Sequence, residues 1–202
     1  MRRTAAVLIL IICLFLAVKA IAGSIEEALK ACDRGDHKEE YRLIKPLADQ
    51  GDPSAQYHLG VMYDDGHGLP QDYNKAMEWY VKAADKGNAE AQCNLGSMYV
   101  KGHGVPQDYN KASLWYETAA GKGNAKAMFN IGEMYASGNG VPQDYVLAYM
   151  WFTLAASHYP ASGVADRNNV AIKINEIALK MVPEEIAEAQ RMAREWKPKK
   201  EK

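Results

Sequence analysis

The sequence predicts an all-α protein, a right-handed α/α superhelix (solenoid) of helix-turn-helix repeats with helical caps. Nearly the same eight residues recur every 36 positions, as GHGLPQDY from Gly66, GHGVPQDY from Gly102 and GNGVPQDY from Gly138. The segments between these copies carry apolar residues at helical spacing. A period of this length with helical patterning is typical of a solenoid, in which each unit packs on its neighbours.

Each repeat is predicted to contain two helices, A and B, joined by the recurring loop. A capping residue precedes each helix, and the first glycine of the loop ends helix A. The predicted N-caps of helix A are Asp52, Asn88 and Asn124, and those of helix B are Asp72, Asp108 and Asp144. The recurring loop is therefore interpreted as a connector that the fold needs at each turn.

A glycine stands in the middle of each helix A, where it costs about 1 kcal/mol relative to alanine. The same cost at the same position in every repeat indicates a close contact between helices, in which no side chain fits. We expect the tryptophan of helix B to provide the bulk opposite each glycine. The residues are Gly60, Gly96 and Gly132, with Trp79, Trp115 and Trp151 as the expected partners.

Helical caps are predicted to cover the two ends of the repeat array, because exposed solenoid ends need a polar outer face. The expected division is 1–22 signal peptide, 24–50 N-terminal capping helix pair, 51–86 repeat 1, 87–122 repeat 2, 123–158 repeat 3, 159–197 C-terminal capping helices and 198–202 basic tail.

The first 22 residues have the layout of a secretory signal. Arg2 and Arg3 form a basic start, an apolar run follows, and Ala20 and Ala22 form an A-x-A cleavage site. We expect cleavage after Ala22 and export to the periplasm or the medium. The alternative is an uncleaved anchor, and in that case this segment is the expected membrane contact. The apolar run is shorter than the ~20 residues of a spanning helix, which favours cleavage.

Charge and cysteine content narrow the classes of partner and chemistry. The formal net charge is −1, and it becomes more negative when the basic start is removed, so nucleic acid is not an expected partner. Cys32 and Cys93 remain in the mature chain, a full repeat apart, and we predict no disulfide between them. Cys93 occupies the position of Tyr57 and Phe129 in the other repeats and is predicted to be a buried small hydrophobe.

Three motifs at the 36-residue period, A-x-x-x-L-G-x-M-Y, G-x-G-V-P-Q-D-Y and A-x-x-W-Y-x-x-A-A, cover about residues 51–157. In these motifs the chain resembles the Sel-one-like repeat family, relatives of the tetratricopeptide repeat. The resemblance implies an all-α superhelix that usually works as an adaptor for other proteins.

The histidines of the recurring loops, His67 and His103, suggest a metal site at first sight. Equivalent positions in adjacent repeats lie about 10 Å apart, whereas zinc ligands converge to ~2 Å from one ion. The third copy carries Asn139 instead. We therefore predict exposed loop residues here, and no metal site, cofactor site or catalytic set anywhere in the chain.

The positions of helix A that vary between repeats form one helical stripe, because their spacing is 4, 3 and 4 residues. A stripe that changes while its framework is held is interpreted as free of packing duty. In the related tetratricopeptide fold, helix A lines a concave groove that grips extended peptides, and asparagine amides there can bond a peptide backbone. The predicted partner-binding stripe is Ser54, His58, Val61, Asp65, Glu90, Asn94, Ser97, Lys101, Lys126, Asn130, Glu133 and Ser137.

Two functions follow as hypotheses. The first is a non-catalytic exported adaptor that binds a protein or peptide through the concave face. The alternative is a cell-envelope factor that acts on peptidoglycan or β-lactams, as the cysteine-rich branch of the family is linked to penicillin binding and β-lactam hydrolysis. That branch carries a cysteine pair in each repeat, which this chain lacks.

Overall fold

The computed structural model describes residues 25–197, and every regular element in this range is an α-helix. The helices are α1 over 25–33, α2 His37–Asp49, α3 Pro53–Asp65, α4 Tyr73–Asp85, α5 Ala89–Lys101, α6 Tyr109–Gly121, α7 Ala125–Ser137, α8 Tyr145–His158, α9 Val164–Ala178 and α10 Pro183–Glu195. The all-α prediction is confirmed. The predicted signal peptide and basic tail lie outside the described residues.

The described chain forms two compact units, one that ends at Lys86 and one that begins at Gly87. The first contains α1 to α4, and its apolar core is built around Ile44, Leu59 and Met62. The second contains α5 to α10 around a larger core. Within residues 25–197, none of the helices combines the length and the hydropathy of a membrane span.

The predicted N-cap hydrogen bonds form in every repeat. The Asp52 side chain accepts a hydrogen bond from the Ala55 backbone N–H at 2.8 Å, and Asn88 and Asn124 accept the equivalent bond from the residue three positions on. Side chains of Asp72, Asp108 and Asp144 cap helix B in the same way. Each helix A ends at a left-handed glycine, Gly66, Gly102 or Gly138.

The recurring loop has a hydrogen bond that explains its glutamine. The side-chain amide of Gln71 donates to the backbone carbonyl of Asp64 at 2.7 Å. The same bond recurs from Gln107 to Val100 and from Gln143 to Ala136. These bonds satisfy carbonyls that the end of helix A leaves unpaired. The interpretation of the loop as a structural connector agrees with this geometry.

The mid-helix glycines do mark close helix contacts, but the predicted aromatic partner was wrong by one residue. A Cβ built on Gly60 would lie 2.6 Å from the Tyr80 ring, and one on Gly96 would lie 2.5 Å from the Tyr116 ring. Gly132 faces Phe152 in the same way. The tryptophan before each of these rings points elsewhere, because neighbours on a helix are about 100° apart.

The tryptophans take other places in the packing. Trp79 is half-buried, and the Lys82 ammonium lies 3.9 Å from its ring centroid as a cation–π contact. Trp151 is buried, and its ring meets that of Trp196 edge-on at 5.6 Å. In the second unit α9 and α10 both pack on α8, where Val170, Ile177 and Ala189 are buried. These two helices lie within residues 159–197, where the sequence predicts C-terminal capping helices.

Candidate functional site

The predicted stripe runs along α5 and α7 in the second unit. Its end positions are exposed, whereas its middle positions are half-buried. The exposed residues are Glu90, Lys101, Lys126 and Ser137, and the half-buried ones are Asn94, Ser97, Asn130 and Glu133. On α5 and α7 the stripe is thus polar at every position and carries charges of both signs.

Two half-buried members of the stripe have structural contacts. The Ser97 hydroxyl lies 3.1 Å from the Tyr116 hydroxyl and donates to the Cys93 carbonyl at 3.3 Å. The Asn130 amide donates to Cys93 Sγ at 3.8 Å, which is a long, weak contact. The interpretation that the stripe has no packing duty therefore needs correction at Ser97 and Asn130. Burial also raises the pKa of the Tyr116 hydroxyl, so it stays protonated as a donor.

The end of the stripe on α7 borders a small pocket beside α9. The pocket has a volume of about 220 Å³, and its polar wall is formed by Glu133, Ser137, Lys173, Glu176 and Lys180. The Lys173 ammonium bridges Glu133 at 3.5 Å and Glu176 at 3.4 Å. Glu133 thus already has a cationic partner within the chain, which leaves Glu90, Asn94, Lys101 and Lys126 as the more available part of the stripe.

The stripe in the first unit runs along α3. Ser54, His58 and Val61 are half-buried there, and Asp65 is exposed. Burial lowers the pKa of His58, while the negative charges of Glu40 and Asp52 act in the opposite direction. His58 is therefore a neutral imidazole at neutral pH, able both to donate and to accept a hydrogen bond.

The two described cysteines are both free, as predicted. Cys93 is fully buried, and this raises the pKa of its thiol to about 12. Cys32 is half-buried, and its thiol pKa is raised by burial and by the nearby Glu40 carboxylate. A nucleophilic cysteine needs a lowered pKa and an electropositive surrounding, and neither thiol has them.

A polar cluster that the sequence analysis did not predict lies at the turn between α1 and α2. It brings Cys32, His37 and Glu40 together, with one potential ligand atom from each residue within 4.8 Å of the others. His67 of the first loop stacks its ring on that of His37, with centroids 4.7 Å apart and planes inclined by 11°. His67 is exposed, as predicted, and its ring also has this contact within the chain, whereas His103 of the second loop is half-buried.

The sequence does contain a signal for this cluster. It becomes visible when the 36-residue register of the repeats is applied to the residues before repeat 1. Asp36 stands 36 residues before the helix B cap Asp72, so His37 and Glu40 correspond to Tyr73 and Ala76. Two framework positions of helix B therefore carry metal-ligating side chains in α2. Cys32 belongs to α1 and corresponds to the loop residue Gly68 at this register, so the spacing alone did not connect it with His37 and Glu40.

Known proteins contain repeats similar to these. A family model described as the Sel1 repeat matches residues 53–88, 89–124 and 125–159, which is more than half of the chain. Each match begins two residues after the predicted repeat boundary. A component of an ERAD-associated E3 ubiquitin-protein ligase from Arabidopsis thaliana, HRD3A, is 36% identical over 51 residues, or 25% of this chain. The match spans 8% of the length of HRD3A.

Two solved structures share the architecture. A Sel1 repeat protein from Oxalobacter formigenes is 29% identical with a TM-score of 0.63, and the match covers 85% of this chain and 74% of that one. A protective antigen present in uropathogenic Escherichia coli strains, which displays an SLR fold, is 28% identical with a TM-score of 0.69 over 85% of this chain and 40% of its own. These similarities confirm the prediction of an all-α repeat solenoid. With three tandem matches over more than half of its length, the chain belongs to the Sel1 repeat family.

Proposed function

We propose that this protein is an exported, non-catalytic scaffold that binds a protein or peptide partner through the helix A stripe. Sel1 repeat proteins are typically protein-interaction scaffolds and are generally non-catalytic. The observation that carries the proposal is the stripe itself: three of its four polar positions differ between α5 and α7, the fourth is asparagine in both, and the N-caps, loops and glycine–aromatic contacts are kept. A polar surface that differs from repeat to repeat is suited to recognition of a specific partner.

The chemistry of the stripe defines the class of partner. Asn94 supplies an amide that can both donate to and accept from a peptide backbone. Glu90 and Lys126 are exposed charges of opposite sign, and Lys101 adds a second cation. Asn130 is engaged with Cys93, so we assign it a supporting role. The proposed partner is an extended segment that presents backbone amides and charges of both signs.

Export is part of the proposal and rests on the sequence of residues 1–22. The full gene product, expressed with its own N-terminus in a bacterial host, is expected to appear in the periplasm or the medium. N-terminal sequencing of that product is expected to start at Gly23. A product that keeps Met1 or Arg2 and stays with the membrane fraction would support the anchor alternative instead.

Binding is tested by capture from an envelope extract of the source cells with the immobilised chain. A specific protein is expected to be retained by the wild type and lost with Asn94→Ala. Asn110→Ala is the matched control, because Asn110 is an exposed asparagine on α6, outside the stripe. Equal capture by both variants would contradict a role of the stripe.

Two assays of the purified chain distinguish the scaffold function from the alternative of a cell-envelope factor. Retention of the chain on purified peptidoglycan sacculi, without a protein partner, would favour glycan recognition. Turnover of the chromogenic β-lactam nitrocefin by the purified protein at a catalytic rate would contradict the non-catalytic assignment. The raised thiol pKa of both described cysteines argues against thiolate chemistry in such a reaction.

A further inference from the structure

The turn between α1 and α2 gathers three side chains with different donor atoms. Cys32 offers a thiol sulfur, His37 an imidazole nitrogen and Glu40 a carboxylate oxygen, all within 4.8 Å of one another. The His37 Nδ1 atom lies 3.0 Å from Glu40 Oε2. Cys32 comes from α1, and His37 and Glu40 come from the first turn of α2, so their backbone positions are fixed by two helices of the first unit.

The Glu40 carboxylate is buried although its neighbours within the cluster, the His37 imidazole at 3.0 Å and the Cys32 thiol, carry no fixed positive charge. Its side chain is 5% exposed, and carboxylates are rarely buried unless a positive charge or a metal compensates them. Helix B buries a fully enclosed alanine at the corresponding position, as Ala76, Ala112 and Ala148. Packing at this position is therefore satisfied by a methyl group, and the carboxylate of Glu40 points to an additional role.

We propose that Cys32, His37 and Glu40 form a zinc(II) site. Sulfur, nitrogen and oxygen donors of these types bind zinc at about 2.3, 2.0 and 2.0–2.2 Å, which places tetrahedral ligand atoms roughly 3.3–3.8 Å apart. The three atoms already lie near this spacing, so side-chain rotations on the order of 1 Å complete the geometry. Three protein ligands leave the fourth position to water or to a group from a partner.

The donor set selects the metal. A thiolate and an imidazole disfavour magnesium and calcium, which prefer all-oxygen sites. Zinc accepts sulfur, nitrogen and oxygen together and does not require redox chemistry. Its positive charge also compensates the buried carboxylate of Glu40.

The first loop orients the histidine ligand. The His67 ring stacks on the His37 ring at 4.7 Å between centroids. A Cβ at Gly68 would lie 2.7 Å from the Cβ of His37, so the loop backbone packs tightly against this residue. These contacts restrict the imidazole, as outer contacts do in zinc sites. His67 therefore acts as a positioning residue, and the ligand set does not include it.

The test uses the purified full chain, stripped of metal with a chelator and titrated with ZnCl₂ by calorimetry. One zinc ion is expected to bind per chain. Titration with CoCl₂ is expected to produce a sulfur-to-cobalt charge-transfer band and the visible absorption of a tetrahedral site. Cys32→Ser is expected to abolish the charge-transfer band, and His37→Ala and Glu40→Gln are expected to weaken zinc affinity at least about tenfold.

Matched controls come from the second repeat. Cys93→Ser removes the other described thiol, and His103→Ala removes the loop histidine equivalent to His67; neither is expected to change zinc stoichiometry or the cobalt spectrum. Wild-type protein that binds no zinc, or a cobalt complex without a sulfur band, would overturn the proposal without reliance on any variant. Unchanged binding by Cys32→Ser would overturn it as well.

Discussion

Helix α2, in the predicted N-terminal cap, and the B helices of the repeats share the register of their N-cap residues but bury side chains of different chemistry. The N-cap Asp36 stands 36 residues before the N-cap of α4. Behind these caps, α2 buries Glu40 beside His37, whereas α4 buries Ala76 and half-buries Tyr73. The repeats thus use small side chains to bring helices close together, and the cap uses the same space for a polar cluster.

The largest expected effect comes from giving a repeat the buried carboxylate of the cap. Ala112→Glu in α6 places a carboxylate at a position that is fully buried and surrounded by apolar residues. Because it has neither a histidine nor a thiol beside it, we expect a loss of about 3–5 kcal/mol in the free energy of unfolding. Urea denaturation followed by circular dichroism measures this loss.

Two companion variants sharpen that result. Leu114→Glu introduces the same side chain two residues away on α6, where the native leucine is 66% exposed, and a change within about 0.5 kcal/mol is expected. The reverse exchange, Glu40→Ala, gives α2 the residue of the repeats and removes one hydrogen-bonding partner, so a loss of only about 1 kcal/mol is expected. Similar losses for Ala112→Glu and Glu40→Ala would contradict the difference in buried chemistry between α2 and α6.

The next effect concerns the close helix contacts of the repeats. Gly96→Ala puts a methyl group 2.5 Å from the Tyr116 ring, which must shift. Overpacking of this kind costs about 1–3 kcal/mol, more than the gain of about 1 kcal/mol in helix propensity. We therefore expect a net loss of stability in thermal or urea denaturation.

Gly121→Ala is the control for helix propensity. Gly121 is the last residue of α6, and the other repeats carry Asp85 and Ser157 at this position, so a side chain fits. The expected result is an unchanged or slightly raised melting temperature. Stabilisation by Gly96→Ala as well would contradict the assignment of Tyr116 as the tight partner.

The smallest expected effect concerns Cys32 in the first unit and Cys93 in the second, whose thiols are expected to differ in reactivity. Cys93 is buried with a thiol pKa of about 12, so native protein at pH 8 is expected to be alkylated by iodoacetamide at the half-buried Cys32 first. Because the Cys93 thiol pKa is raised on folding, its contribution to stability is complete below about pH 9 and is lost as the pH rises toward 12.

The pH dependence is measured by urea denaturation across that range. Wild type is expected to lose stability above about pH 9, and Cys93→Ala is expected to lose less over the same interval. Faster alkylation of Cys93 than of Cys32 in the native protein would contradict the burial on which both expectations rest.

The helices, caps and loops could be predicted from the sequence because the repeat supplies three copies of each local signal. The aromatic partner of the mid-helix glycines could not. Trp79 and Tyr80 are adjacent and both bulky, and only the rotation of α4 against α3 decides which ring meets Gly60. Propensity and capping fix where a helix begins, but they do not fix its rotation.

The candidate sites were predicted unevenly for a related reason. Variation between copies located the stripe, yet it did not reveal that Ser97 and Asn130 have contacts inside the chain. The cluster of Cys32, His37 and Glu40 occurs once, so no comparison between copies could mark it. Its members meet only because α1 and α2 pack across a short turn.

Site-specific photo-crosslinking in the source cells shows whether the stripe is the surface through which this protein binds its proposed partner. A photoreactive residue replaces Lys101, at the exposed end of the stripe on α5, or Asn110, exposed on α6 outside the stripe. We predict a discrete protein adduct from position 101 and none from position 110. Adducts of equal yield from both positions, or no adduct from position 101, would contradict binding through the stripe.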